Sequence, residues 1–147
     1  MDNALRELYQ EMILDHARHP RHYGALEGAS HKADGFNPLC GDKVTVYLKL
    51  DADGRVGDIA FEGKGCAISQ ASASMMADLL KGRDKADAEK LMEGFLSLVK
   101  GGAATGLSED DRESLEAMGG ISAFPMRVKC ATLAWHTFRN AVEEGAT

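Results

Sequence analysis

The apolar residues change period between Lys43 and Gly82, and that change fixes the fold class. Val44, Val46, Leu48 and Leu50 alternate with Lys43, Thr45, Tyr47 and Lys49, which is the spacing of a strand with one buried face. Asp51-Ala52-Asp53-Gly54 follows as a turn in which Gly54 suits a positive φ. The return strand spans Arg55–Glu62, with Ile59 and Phe61 on one face and Val56 out of phase, so a bulge is expected near Gly57. Beyond Glu62-Gly63-Lys64-Gly65 the spacing turns helical. Ile68, Ser72, Met75, Met76 and Leu79 stripe a helix ending near Gly82. A hairpin giving way to helices predicts an α+β fold: a small three-stranded antiparallel sheet with helices packed on one face.

The remaining elements fit that plan. Asn3–Ala17 reads as a helix with Leu5, Leu8, Tyr9, Met12, Ile13 and His16 on one face, stopped by Pro20. His31–Asn37 is the candidate edge strand. Lys85–Val99 is an amphipathic helix broken by Gly101-Gly102. Ser108 with Asp111 opens a short acidic helix through Met118, which Gly119-Gly120 is expected to end. Pro125 argues for an irregular Ile121–Lys129, and a last helix is expected over Cys130–Glu144. With 147 residues and no repeat or linker, one domain over 1–147 is expected.

Charge and hydropathy exclude some partners. A net charge of −6 argues against a nucleic-acid backbone, whose affinity comes mostly from Lys and Arg. The one basic cluster, His16 to Gly24, is expected to be a helix end and turn. No apolar stretch approaches the roughly 20 residues of a membrane span. The opening residues lack the basic and apolar regions of a secretory signal, so a cytoplasmic address is expected.

Three cysteines, with no CxxC pair, remain to be explained. The odd count makes a disulfide framework a poor account. Cys40 precedes the first hairpin strand, Cys66 sits in a glycine-rich turn before a helix, and Cys130 precedes the last expected helix. Burial for packing, reactive-thiol chemistry and metal binding all remain open on spacing alone. Junctions favour display of functional groups. The two positions near expected helix N-termini would favour a thiolate. Joined with Asp42, the cysteines make a Cys₃Asp set suited to zinc or iron–sulfur chemistry. Lys43, Arg127 and Lys129 flank it as sources of positive charge, and Asp42 is the more easily displaced donor. Gly41 lets Cys40 and Asp42 face one ion. The HExxH pattern of many zinc hydrolases is absent.

Cys40-Gly41-Asp42, Phe61 to Met76 around Cys66, and Phe124-Pro125-Met126-Arg127-Val128-Lys129-Cys130 occur in an order that resembles the IscU/NifU-type iron–sulfur assembly family. The likeness is strongest to its SufU branch and includes the opening from Leu8 to Gly24. Lys129 stands where the housekeeping scaffold branch has histidine. Ala123 to Arg127 replaces that branch's Leu-Pro-Pro-Val-Lys segment, and the helical stretch after Cys66 is longer. The resemblance implies a zinc protein with Cys40, Asp42, Cys66 and Cys130 as ligands. Cys40 corresponds to the thiol that accepts persulfide sulfur, and Arg127 to a basic residue beside it. The implied partners are a pyridoxal-phosphate cysteine desulfurase (SufS-like) and downstream iron–sulfur assembly or sulfur-accepting proteins. It would be a sulfurtransferase-type partner rather than a stand-alone catalyst. The alternative is a scaffold for a transient 2Fe–2S cluster on the same ligands.

Overall fold

The alternation at Lys43–Leu50 belongs to the middle strand of a three-stranded antiparallel sheet ordered β1-β2-β3. The computed structural model describes residues 3–104 and 106–147. Its elements are α1 (Asn3–Arg18), β1 (His31–Asn37), β2 (Asp42–Leu50), β3 (Val56–Lys64), α2 (Ala67–Leu80), α3 (Lys85–Val99), α4 (Glu109–Leu115), a 3-10 turn (Glu116–Ile121) and α5 (Pro125–Glu144).

β1 runs as the expected edge strand, in register from His31 opposite Leu48 to Asn37 opposite Asp42. Between β2 and β3, Lys49 pairs with Asp58 and Leu50 with Val56, leaving Gly57 unpaired as the bulge. That extra residue explains the broken alternation: it returns Val56 to the inner face, where it is buried beside Ile59 and Phe61.

α5 crosses the inner face of β1 and β2, and α2 lies against β3. The outer face is polar. Thr45 donates to Asp34 at 2.6 Å, and the Tyr47 hydroxyl bonds Glu62. Close approach of α5 to β1 requires glycine at position 35, because a Cβ there would collide with Thr137 Oγ1. Trp135 stacks on Phe95 with ring centroids 4.3 Å apart. Its indole N–H donates to Ser72 Oγ at 3.0 Å, and Ser72 donates to the Ala131 carbonyl at 2.5 Å. This buried polar link ties α2 to α5.

Three expectations change. Pro125 does not precede α5; it occupies the first turn, where its missing N–H costs nothing. Cys130 therefore lies in the second turn, away from the helix end. Gly119-Gly120 does not stop the acidic segment, which tightens into the 3-10 turn and runs on to Ile121. On α1, Tyr9, Met12, Ile13 and His16 are half-buried, whereas Leu8 is exposed. The side chain of Leu5 lies outside the described residues. The end of α1 is anchored through Ser74, which shares a 2.8 Å hydrogen bond with His16 Nδ1 and accepts another from the Arg21 N–H. Among the described residues no helix is long and apolar enough to cross a membrane.

Candidate metal centre

The site forms at the β1–β2 connection, the end of the sheet away from the Asp51–Gly54 turn. Asn37 closes β1, and its Oδ1 accepts from the Leu39 N–H at 3.2 Å while its carbonyl accepts from the Cys40 N–H at 3.3 Å. Gly41 then takes φ +69°, a conformation side chains resist. The chain turns through it, leaving Cys40 exposed and starting β2 at Asp42.

Strand phase decides where Asp42 points. It shares the inner face with Val44, Val46 and Leu48, and is 0% exposed. One carboxylate oxygen, Oδ1, accepts from the Cys66 backbone N–H at 2.9 Å. The other, Oδ2, is buried with no hydrogen-bond partner. Gly65 makes room for this carboxylate, since a Cβ there would collide with Oδ1.

The Cys130 sulfur reaches the same spot from α5, 3.3 Å from the Cys40 sulfur. The donor atoms of Cys40, Asp42 and Cys130 all lie within 4.8 Å of one another. Burial, followed by contacts with Asp42, Cys40 and Cys66, pushes the Cys130 thiol well above its ordinary pKa. The second-turn position of Cys130 withdraws the helix-end stabilisation expected for it. Cys66 does sit at a helix N-terminus: it is the N-cap of α2, its sulfur accepting from the Ser69 N–H at 3.4 Å. Its sulfur falls outside the three-donor group but borders the same groove.

These donors fit a cation. A buried carboxylate oxygen without a partner is costly, and a cation shared with two sulfurs removes the cost. Spans of this size suit bonds of about 2.0–2.3 Å to one ion, and the mixture of sulfur and oxygen suits zinc or iron. The group could hold a metal ion.

The flanking positive residues divide. Lys43 follows Asp42 on a strand and so takes the opposite face, with its ammonium 5.7 Å from the Phe36 ring centroid. It is not aimed at the site. Lys129 is exposed and outside the groove lining. Arg127 alone of the three lines the groove, its guanidinium 4.7 Å from the Phe124 ring centroid. The groove, of about 1040 Å³, runs from the thiols between α1 and the start of α5. Arg6 and Arg127 are its charged lining residues, and Ile13, Ile68, Phe124 and Met126 supply apolar surface.

Asn37 and Gly65 are site residues that the sequence reading did not single out. Carrying the β2 alternation one step back to Asp42 would have shown a carboxylate on the core face, in need of a neighbour without a side chain.

The model of the NifU-like N terminal domain matches residues 8–144. A relative named zinc-dependent sulfurtransferase SufU, from Bacillus subtilis, is 42% identical over 96% of this chain and 95% of its own. An iron–sulfur cluster assembly scaffold protein IscU from Streptococcus pyogenes is 37% identical over 98% of this chain and 88% of its own. A crystal structure of a hypothetical protein superposes with a TM-score of 0.84 at 37% identity, covering 95% of this chain and 99% of the other.

Proposed function

The chain belongs to the family of NifU-like N-terminal domains, and from that premise we propose that it is a zinc-dependent sulfur acceptor in iron–sulfur cluster assembly. It takes sulfur on Cys40 from the persulfide of a pyridoxal-phosphate cysteine desulfurase. The observation that carries this reading is an exposed thiol 3.3 Å from a buried one, beside a buried carboxylate oxygen with no hydrogen-bond partner among the described residues.

Cys40, Asp42, Cys66 and Cys130 would hold the metal. Zinc supplies positive charge that keeps sulfur donors as thiolates without redox chemistry. The chain's own residues do the rest. Cys40, on a turn and exposed, attacks the terminal sulfur of the incoming persulfide. One S–S bond forms on Cys40 as the desulfurase's S–S bond breaks, and the desulfurase cysteine leaves as a thiolate. Electrons and atoms balance with no outside reductant. Asp42 is held by the Cys66 N–H, while Cys130 is buried and is not the acceptor. Arg127 presents a cation along the groove by which an anionic persulfide arrives.

The test is to incubate zinc-loaded protein with a cysteine desulfurase and cysteine, then map added sulfur by mass spectrometry. One sulfur atom on Cys40, absent in Cys40→Ser and reduced in Asp42→Ala, is expected. Zinc-loaded wild type that gains no sulfur would defeat the reading. The second reading, a scaffold for a 2Fe–2S cluster, draws on the same sulfur-and-carboxylate donors and on the Streptococcus relative's name. Anaerobic reconstitution separates the two: a transferable cluster with visible absorption supports the scaffold, and zinc that iron cannot displace supports the acceptor.

A further inference from the structure

Asn37 is more than nine-tenths buried, at 7% exposure. It is the last residue of β1, paired with Asp42 across the sheet. Its side chain has two ends with two different jobs. Oδ1 accepts from the Leu39 N–H at 3.2 Å and shapes the turn that carries Cys40. Nδ2 points to α5 and donates to the Cys130 sulfur at 3.9 Å. One amide therefore touches both the turn bearing the exposed thiol and the helix position bearing the buried one. Those two sulfurs belong to elements 90 residues apart in sequence, and they stand 3.3 Å from each other.

We infer that Asn37 is a positioning residue for the thiol pair: its amide clips the Cys40 turn to the Cys130 position on α5 and so holds the donor set ready to receive its metal. The inference rests on the metal-site reading above and adds to it a residue that touches no ion. The turn of four residues ends in a glycine, and the Asn37 amide adds a tie to α5 beside the Cys40–Cys130 sulfur contact. The neighbouring strand pair fixes where the turn starts, but not how far it leans. A sulfur that accepts an N–H is also held in one orientation, as outer-shell partners hold metal-binding groups elsewhere.

The contacts can be separated by substitution. Asn37→Ser keeps an oxygen able to accept from the Leu39 N–H and is too short to reach Cys130. Asn37→Ala loses both contacts. The full-length chain is loaded with zinc for affinity by chelator competition, and with cobalt(II) for the sulfur-to-metal absorption bands. Thermal midpoints are measured alongside. Asn37→Ser is expected to keep the wild-type midpoint within a few degrees, weaken zinc binding about 10- to 100-fold, and shift the sulfur-to-cobalt bands. Asn37→Ala should weaken binding at least as much. If Asn37→Ala fails to fold, Asn37→Ser decides. Wild-type zinc affinity and an unshifted spectrum in Asn37→Ser would overturn the inference, reducing Asn37 to a turn former. If the wild type itself binds no zinc and shows no sulfur-to-cobalt band, the metal-site reading fails and this inference with it.

Discussion

Two buried carboxylates face opposite circumstances in this molecule. Asp111, at the start of α4, receives both arms of the Arg83 guanidinium, at 2.8 and 2.6 Å, and the Ser108 hydroxyl accepts from its backbone N–H. That cation holds the Asp111 carboxyl below its ordinary pKa. Asp42 is more deeply buried, receives one backbone N–H, and keeps an oxygen with no partner. Among the described residues, one acid is paired with an arginine and the other is not. An Asp42 oxygen left open beside two sulfurs fits the proposed cation site.

The largest effect that sharpens this contrast belongs to Asp42→Asn. Zinc affinity, read by chelator competition, should fall by more than the roughly 10- to 100-fold that an outer-shell change costs. In metal-free protein the same substitution should leave urea stability unchanged or raised, because the buried oxygen it replaces has no hydrogen-bond partner among the described residues. Arg83→Ala should do the reverse. It should cost about 2–3 kcal/mol of urea stability, as charged hydrogen bonds of this kind do when one partner goes, and leave zinc affinity alone. A stability loss in metal-free Asp42→Asn as large as in Arg83→Ala would break the contrast.

Next in size is Gly65→Ala, whose Cβ would press on the Asp42 carboxylate. A cost of about 1–3 kcal/mol is expected from overpacking, with zinc affinity falling in step, whereas alanine at Gly120, which meets open space, should change neither. The smallest effect is in acid. Because the folded-state pKa of Asp111 is depressed, its contribution is present above the unfolded value of about 3.9 and is lost as pH falls through the folded value. Arg83→Ala should flatten that part of the stability–pH curve below about pH 4, measured by urea melts.

The sheet was legible because its pattern is local. Alternation in Lys43–Leu50, the turn at Gly54 and the out-of-phase Val56 together carried the hairpin and its bulge. The helix boundaries around Pro125 and Gly119-Gly120 were less so, since proline is as welcome in a first helical turn as it is excluded from a middle one. Glycine can likewise ride through a 3-10 turn. For the site, the residue types at Cys40, Asp42, Cys66 and Cys130 announced themselves; the structure brings the donor atoms of Cys40, Asp42 and Cys130 together, while Cys66 lines the same groove outside that group. Their supports did not. Asn37 joins Cys130 across 93 positions, and Gly65 matters only because Asp42 turns inward. Lys43 seemed near the site by numbering, yet strand geometry sends it to the other side of the sheet.

The single tryptophan of the chain lies on the same helix as Cys130, five positions further along. Its indole donates to Ser72, which donates in turn to the carbonyl of Ala131, the residue following Cys130. A short polar chain thus links that end of α5 to a fluorophore stacked on Phe95. Trp135 is the one tryptophan of the chain, so a change in its emission on zinc titration is the expected optical sign that loading is felt at that end of α5, read with no dye attached and no residue exchanged.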